Sequence, residues 1–401
     1  MSLFLQVVSV SKAVEEVRNI AIRCGDEPVP LMEALHRILA QDVRADVDIP
    51  GFTRSVVDGF AVRAADTTGS SDAIPSMFTY RGRVVMGAFS DIPVKPGECI
   101  YVPTGGILPE GADAVVMIEN TEQIGGEILV KKSVAYGENI LLFNEDFSRG
   151  DVVCTRGKKL SPRDIGVLAA AGCTQVPVVR MPKVGIISTG NELVPVSKKP
   201  LPGQIRDVNS YVVASFVREQ GGIPIFFGII RDDRDALCSV IGKAAAECDA
   251  VLISGGSSKD DRDMVAVVIG ELGEILIHGI AIAPGKPTII GRCRNIPLIG
   301  LPGHPASAFI VLIAIVSHLF AGMTGKTENS IRVVQATLGQ NVASSKGRED
   351  YVRVAVRDGI ATPVLGKSGL LNTLVQSTGV VRVPADSEGL ETGTRVEVIL
   401  W

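Results

Sequence analysis

Aromatic residues are scarce in this chain, 4% of 401 positions with a single Trp, while 43 glycines and 22 prolines punctuate it. A core must then be built from aliphatic side chains between many turns, which suits an α/β protein. Positive charge is not in excess either. The net charge is −4 and the pI about 5.7, which argues against a nucleic-acid or anionic-membrane surface. No GxxxxGK[ST] occurs, so ATP bound through a P-loop is disfavoured. The seven cysteines show no close pairing and the four histidines are scattered. Zinc and iron–sulfur spacings are thus missing, and a reducing, cytoplasmic setting is expected. The opening MSLFLQVVSVSKAVEEV lacks the basic stretch and apolar core of a signal peptide. The longest wholly apolar run, Ala308–Val316, has nine residues, short of a membrane span, and is expected to be a buried helix.

A chain this long calls for roughly two to four domains, and the texture changes along it accordingly. Ser11–Cys24 carries Val14, Val17, Ala21 and Ile22 at helical spacing, and Leu31–Leu39 reads as a second short helix after Pro28 and Pro30. From Asp48 to about Glu145, short β-like runs such as Arg83–Met86, Glu98–Val102 and Ala114–Ile118 alternate with turns. Asp151–Leu160 and Ile165–Ala171 resume a strand–helix pattern. From Met181 apolar strands alternate with helices: Val184–Ser188, a helix Ser210–Gln220 capped by Asn209, Ile223–Ile229, a helix Arg234–Glu247, Ala250–Ser254, Thr288–Ile290 and Pro297–Leu301. That order predicts a doubly wound parallel sheet with helices on both faces. After Gly325, Ile331–Leu338, Asp350–Arg357, Gly379–Pro384 and Thr394–Leu400 return to β texture, which predicts a small barrel or sandwich.

In open α/β sheets, ligands sit beyond the carboxyl ends of the strands. The loops expected there carry small, polar or acidic residues: STGNEL (Ser188–Leu193), Arg231–Asp233, SGGSS (Ser254–Ser258) and LPGHPASA (Leu301–Ala308). Each alone is what any strand end needs, but together they predict a pocket. Gly255, Gly256, Ser257 and Ser258 can present N–H groups and hydroxyls to an anion. Pro305 opens a helix whose free N–H groups point into the same region. The acids of this region are Glu192, Asp232, Asp233 and Asp263; a hard cation such as Mg²⁺ is typically held by one or two carboxylates plus phosphate oxygens. Asp260 and Asp261 fit a solvated charge run equally well. His304 reads as a turn or pocket-wall residue, with no predictable acid partner. Earlier, Pro50–Val62 (PGFTRSVVDGFAV) is either a built loop with Asp58 at its tip or a plain hairpin turn.

In kind, order and spacing, PGFTRSVVDGFAV, STGNEL, SGGSS, APGKP (Ala283–Pro287) and LPGHPASA resemble the MoeA family, molybdopterin molybdenumtransferases that include the C-terminal part of gephyrin. The resemblance runs over essentially the whole chain. It implies a multidomain α/β and β fold: a molybdopterin-binding α/β domain at 181–326, a mostly β domain at 49–145, an elongated discontinuous dimerisation domain made of 1–48 plus 146–180, and a C-terminal β barrel at 327–401. It also implies insertion of molybdate or tungstate into adenylylated molybdopterin, with release of AMP. The positions that match the family's ligand site are Ser188, Thr189, Gly190, Gly255, Gly256, Ser258, Lys286, Pro287, Pro302, Gly303, Arg348 and Ser368, with Lys367 beside the last. Glu192, Asp232 and Asp263 match acids that line the site and its magnesium. Asp58, Thr104 and Asp146, with Glu145, match residues that approach the site of the other subunit in a homodimer. The partners implied are that second copy, the small-molecule pterin and the molybdopterin adenylyltransferase. Two departures stand out. Asp260 replaces the glycine of the family pattern GGxSxGxxD, and Ala283 replaces the first lysine of KPGKP. They motivate an alternative, a molybdopterin-binding scaffold without catalysis.

Overall fold

Aliphatic runs covered on both faces make the central strands. In the computed structural model, which describes residues 7–255, 264–327 and 332–401, Lys183–Thr189 (β1) is buried at every residue after Lys183. Helix Asn209–Glu219 (α1) leads to the edge strand Ile223–Ile230 (β2), and Arg234–Glu247 (α2) leads to Ala250–Ser254 (β3), wholly buried. Helix Met264–Leu272 (α3) precedes Glu274–His278 (β4), Ile289–Cys293 (β5) and Ile296–Leu301 (β6). The strand order is β2-β1-β3-β6-β5-β4. Four strands are parallel, but β5 runs antiparallel to both β6 and β4. The sheet is therefore mixed, not wholly parallel as expected. The cause is local. Arg294 and Asn295 adopt φ of 50° and 70° between β5 and β6, and two such residues form the tight turn that folds strands into a hairpin.

One face of this sheet is covered by α2 and α3. The other is covered by α1, by the N-terminal helix Val10–Ile20 and by the helical run that starts at Pro305. That run comprises Pro305–Val311 (α4), one π-helical turn over Leu312–Val316, and Ser317–Thr324 (α5). The most apolar stretch of its 20 residues has a mean hydropathy of 2.2, which is membrane-like, yet 67% of that stretch is buried inside the fold. It serves as the core helix that the sequence suggested.

The remaining units pack around this one. Asp26–Pro30 pairs with Gln175–Val179, and Val43–Arg44 with Val152–Cys154. The expected helix Leu31–Leu39 shrinks to a single 3-10 turn, Leu31–Ala34. His36 takes φ 65° and ends it, and Ile38 and Leu39 bridge to Lys159 and Val178 instead. The 49–145 stretch builds a six-stranded sheet whose inner strands are Gly59–Val62, Glu98–Val102, Ser76–Arg83 and Glu127–Val130. Arg83–Met86 is not a strand. Pairing shifts register between Tyr80 and Arg83, and the chain leaves the sheet at Val84. The C-terminal strands Glu349–Arg357, Ile360–Pro363, Arg332–Leu338, Arg395–Leu400 and Gly379–Val383 pair in that order, and the last returns to the first, closing a barrel. Ile282 and Ala283, between β4 and β5, pair in parallel with Glu349 and Asp350 of this barrel.

Candidate active site

The loops after β1, β3 and β6 converge because small residues allow it. Gly255 follows β3 with φ 106°, and a Cβ there would lie 2.0 Å from the Thr189 carbonyl oxygen. Only glycine tolerates both that approach and that dihedral. A Cβ on Gly303 would come within 3.9 Å of the Gly255 Cα. At the end of β1, Ser188 and Thr189 are buried. Thr189 Oγ1 donates to Asp232 Oδ1 at 2.7 Å, and the Asp232 N–H reaches Asn191 Oδ1 at 3.4 Å. A Cβ at Gly190 would lie 2.8 Å from a Glu192 carboxylate oxygen, so Glu192 and Asp232 flank the same Thr189–Gly190 backbone. The neighbouring acid has another task. Asp233 caps α2 by accepting the Ala236 N–H at 2.8 Å.

Asn209 does not cap α1. The Asp207 carboxylate takes that part, accepting the Ser210 N–H at 3.1 Å. Asn209 Nδ2 is thereby free to donate to the Gly303 carbonyl at 2.8 Å, which ties α1 to the loop after β6. Its Oδ1 and the Ser188 Oγ are buried without a partner. Such orphans are rare enough in folded proteins to mark a place where a ligand or water completes the shell.

Lys286, Arg348 and Ser368 come from three segments. His304 Nδ1 meets Ser368 Oγ at 3.1 Å, and the Ala306 N–H donates to the Ser368 carbonyl at 3.2 Å. The C-terminal barrel's loop therefore rests on the first turn of α4. Pro302 is buried and Gly303 exposed at this turn. Lys286 is exposed, and its own carbonyl accepts the Ile280 N–H, with Pro287 next to it. Arg348 Nε pairs with Asp350 at 2.9 Å. Asp350 is 8% exposed and also accepts the Ser344 hydroxyl at 2.8 Å. Because Ala283 is the register partner of Asp350, the Lys286 and Arg348 loops leave from one two-residue bridge. Arg353, also on the barrel, donates to the Gly366 carbonyl at 2.8 Å, just before Lys367 and Ser368. Burial lowers its pKa from the ordinary guanidinium value.

Not every expected residue joins this crest. Asp58 Oδ1 accepts both the Thr104 N–H, at 2.7 Å, and the Thr104 hydroxyl, at 3.1 Å. This exposed pair belongs to the 49–145 sheet. Asp146 is exposed, and its N–H donates to Ile49, while Glu145 accepts the Leu142 N–H. Among the described residues, no hydrogen bond connects these three acids to the strand-end loops. Gly256, Ser258 and Asp263, with Asp260 and Asp261, lie outside the described residues. The sequence reading missed Asp207, Asn209 as a tether, Asp350 and Arg353. A signal for the first was present, since an Asp just before an apolar helical run is a preferred cap. Nothing local distinguishes the other three.

Fold and site together define a multidomain α/β protein with an appended barrel, whose polar loops converge at the strand ends. Comparison with known proteins agrees along the chain. Family models described as "MoeA N-terminal region (domain I and II)", "Probable molybdopterin binding domain" and "MoeA C-terminal region (domain IV)" match residues 8–172, 185–321 and 335–401. The molybdopterin molybdenumtransferase of Bacillus subtilis is 34% identical, covering 98% of this chain and 94% of that protein. Its counterpart in Staphylococcus aureus is 30% identical over 98% of this chain and 95% of that protein. A solved MoeA molybdopterin biosynthesis protein from Pyrococcus horikoshii superposes with a TM-score of 0.88 at 34% identity, covering 99% of this chain and 100% of that one. The chain belongs to the MoeA family.

Proposed function

We propose that the protein is a transferase of molybdenum cofactor biosynthesis that inserts molybdate, or tungstate, into adenylylated molybdopterin and releases AMP. One observation carries this reading beyond the family likeness. The barrel loop with Ser368 is anchored to the α/β unit at His304–Ala306, and the barrel strand that follows Arg348 is anchored at Ala283, three residues before Lys286. Lys286 and Arg348 would bind the oxyanion, with the Ser368 hydroxyl as a further donor. The Arg348–Asp350 pair fixes the direction of the guanidinium fork. Catalysis would then be largely positional, holding the oxyanion against the dithiolene sulfurs.

Glu192 and Asp232 would hold Mg²⁺, with Asp263 as the expected third acid. Among the described residues no cluster of three metal-ligating side chains exists. The donor set still fits this cation, which takes one or two carboxylates and completes its shell with phosphate oxygens and water. When bound, it would neutralise charge on the phosphoanhydride. Thr189 keeps Asp232 aimed, and Asn209 holds the Gly303 carbonyl against the start of α1.

Asp58, Thr104 and Asp146 would complete the site from a second copy in a homodimer, since all three are exposed within one chain. The enzyme class that must act upstream is a molybdopterin adenylyltransferase, and seven free thiols fit a cytoplasmic setting. Ala283 gives little support to a scaffold without catalysis, because Arg348 is already fixed beside it. The test is AMP release from adenylylated molybdopterin with molybdate and Mg²⁺. No release with either molybdate or tungstate would end the proposal. A chain that sediments as a monomer at assay concentration while fully active would end the homodimer part.

A further inference from the structure

Two short stretches hold large apolar side chains in the open, and each borders one half of the proposed site. The first is 84–94, on the 49–145 sheet. Val84 and Val94 pin its ends: both are buried, and their N–H groups donate to the Tyr101 and Glu110 carbonyls at 2.8 Å. Between them the backbone is tied to itself. The Ala88 N–H reaches the Val85 carbonyl at 3.2 Å, and Ser90 Oγ donates to the Ile92 carbonyl at 3.3 Å. Val85, Met86 and Phe89 are nonetheless exposed, Phe89 to 82%. A Cβ on Gly105 would lie 3.6 Å from the Met86 Cε, and Gly105 follows Thr104, which holds Asp58. The 53–55 backbone accepts from the Gly105 and Leu108 N–H groups, and Thr53 Oγ1 accepts the Phe143 N–H at 3.1 Å. Phe52 and Phe143, both exposed, therefore belong to the same tip.

The second stretch is 364–377 of the barrel, which carries Ser368. Arg353 grips its start, the carbonyl accepting the Val364 N–H and the guanidinium donating to the Gly366 carbonyl, each at 2.8 Å. The Thr373 and Ser377 hydroxyls close the short helix Asn372–Gln376 by donating to the Leu370 and Thr373 carbonyls at 2.7 Å. Leu365, Leu370, Leu371 and Val375 are exposed on this frame, Val375 to 87%. Apolar side chains fixed in water beside a site recover their hydration cost only when something docks on them.

Charge says what docks where. On the tip, the exposed acids Asp58, Glu145 and Asp146 outnumber Arg54; beside the barrel stretch stand the exposed bases Lys286, Arg348 and Lys367. Tip against tip would repel, whereas tip against barrel attracts. Within one chain both stretches stay exposed, so the complement of each is on another copy. We infer that the tip of one copy docks on the 364–377 stretch of a second, with Met86 and Phe89 seated among Leu370, Leu371 and Val375, and that this apolar contact closes the site over bound substrate and excludes water. The contact rests on the homodimer part of the transferase reading and adds to it an apolar seal around the polar residues.

A double-mutant cycle on the full chain tests it, with AMP release from adenylylated molybdopterin as the rate and sedimentation as the check on assembly. Phe89→Ala and Val375→Ala should each slow release about tenfold, roughly what an apolar side chain contributes when buried at an interface. Combined, they should cost little more than either alone, because both remove the same contact. Phe89→Leu and Val375→Ile should keep most of the rate, which separates apolar docking from misfolding. Ile74→Ala, a change at another exposed apolar residue of the 49–145 unit, should have no effect. Losses that multiply to about a hundredfold, or single variants at the wild-type rate, would overturn the docking. The transferase reading stands in that case, provided that the wild-type chain releases AMP. A fully active monomer would end the docking together with the homodimer part, and a wild-type chain that releases no AMP would end the transferase reading and the docking with it.

Discussion

Asp232→Asn separates a carboxylate that holds a cation from one that only shapes a loop. The amide keeps the outline of the side chain and an oxygen that can still accept from Thr189 Oγ1, a contact now 2.7 Å long. Replacing a charged acceptor by a neutral one costs about 1 kcal/mol of stability, a shift of roughly 2–4 °C in a domain of this size. Losing one preorganised electrostatic contact to a reacting phosphoanhydride costs far more, about 10²–10³ in rate. AMP release should therefore fall roughly a hundredfold or more, while the melting temperature barely moves. More Mg²⁺ should be needed for half-maximal rate as well. Asp233→Asn is the matched control. Asp233 caps α2 through the Ala236 N–H, and Asn caps about as well as Asp, so neither rate nor stability should change. Assaying AMP release across a Mg²⁺ titration for both variants decides the matter. Near-normal release by Asp232→Asn, or equal losses in the two, would refute the division of labour between these neighbours.

Other outcomes follow from contacts elsewhere. Asp249 links the strand end at Arg180 to β3: burial acts to raise its pKa, but two hydrogen bonds from Arg180 and one from the Lys183 N–H outweigh this and hold it below the ordinary value of 3.8. A carboxyl depressed in the folded state stabilises fully above its unfolded pKa and loses that contribution as pH falls through its folded pKa. Asp249→Asn should hence lower the melting temperature at pH 7, and the gap should close below about pH 3.8; a gap that persists in acid would contradict the pairing. Ala283→Lys adds an ammonium next to Asp350 and should raise apparent molybdate affinity by roughly tenfold to a hundredfold, the usual worth of one charge-assisted hydrogen bond. A fall in affinity would mean that the new ammonium takes Asp350 from Arg348.

Much of the α/β unit could be read from the chain, since β1 and β3 are continuous apolar runs whose burial follows from composition alone. The positions of Thr189, Gly190 and Gly255 were legible for a related reason: strand ends are where such sheets hold ligands. What stayed hidden depends on partners distant in sequence. Whether Asn209 caps a helix or holds the Gly303 carbonyl is decided by the loop after β6, and Asp232 and Asp233 look alike until one is seen to face Thr189 and the other Ala236. The reversal of β5 turned on two residues, Arg294 and Asn295, that carry no glycine to announce a left-handed turn. Likewise, the Leu31–Leu39 helix yielded to bridges with residues more than a hundred positions away.

The pairing of Ile282 and Ala283 with Glu349 and Asp350 also bears on how such proteins can be recombined. A chimaera joined between residues 325 and 332 would look natural on a linear map, yet it would match a barrel to an edge it has never met. The stretch that holds Lys286 would lose its neighbouring strand, and Arg348 would arrive with no guarantee of a small residue opposite Asp350. The heritable unit is then the barrel together with the APGKP segment. Exchanges that carry both from one relative should fold and function where barrel-only grafts fail.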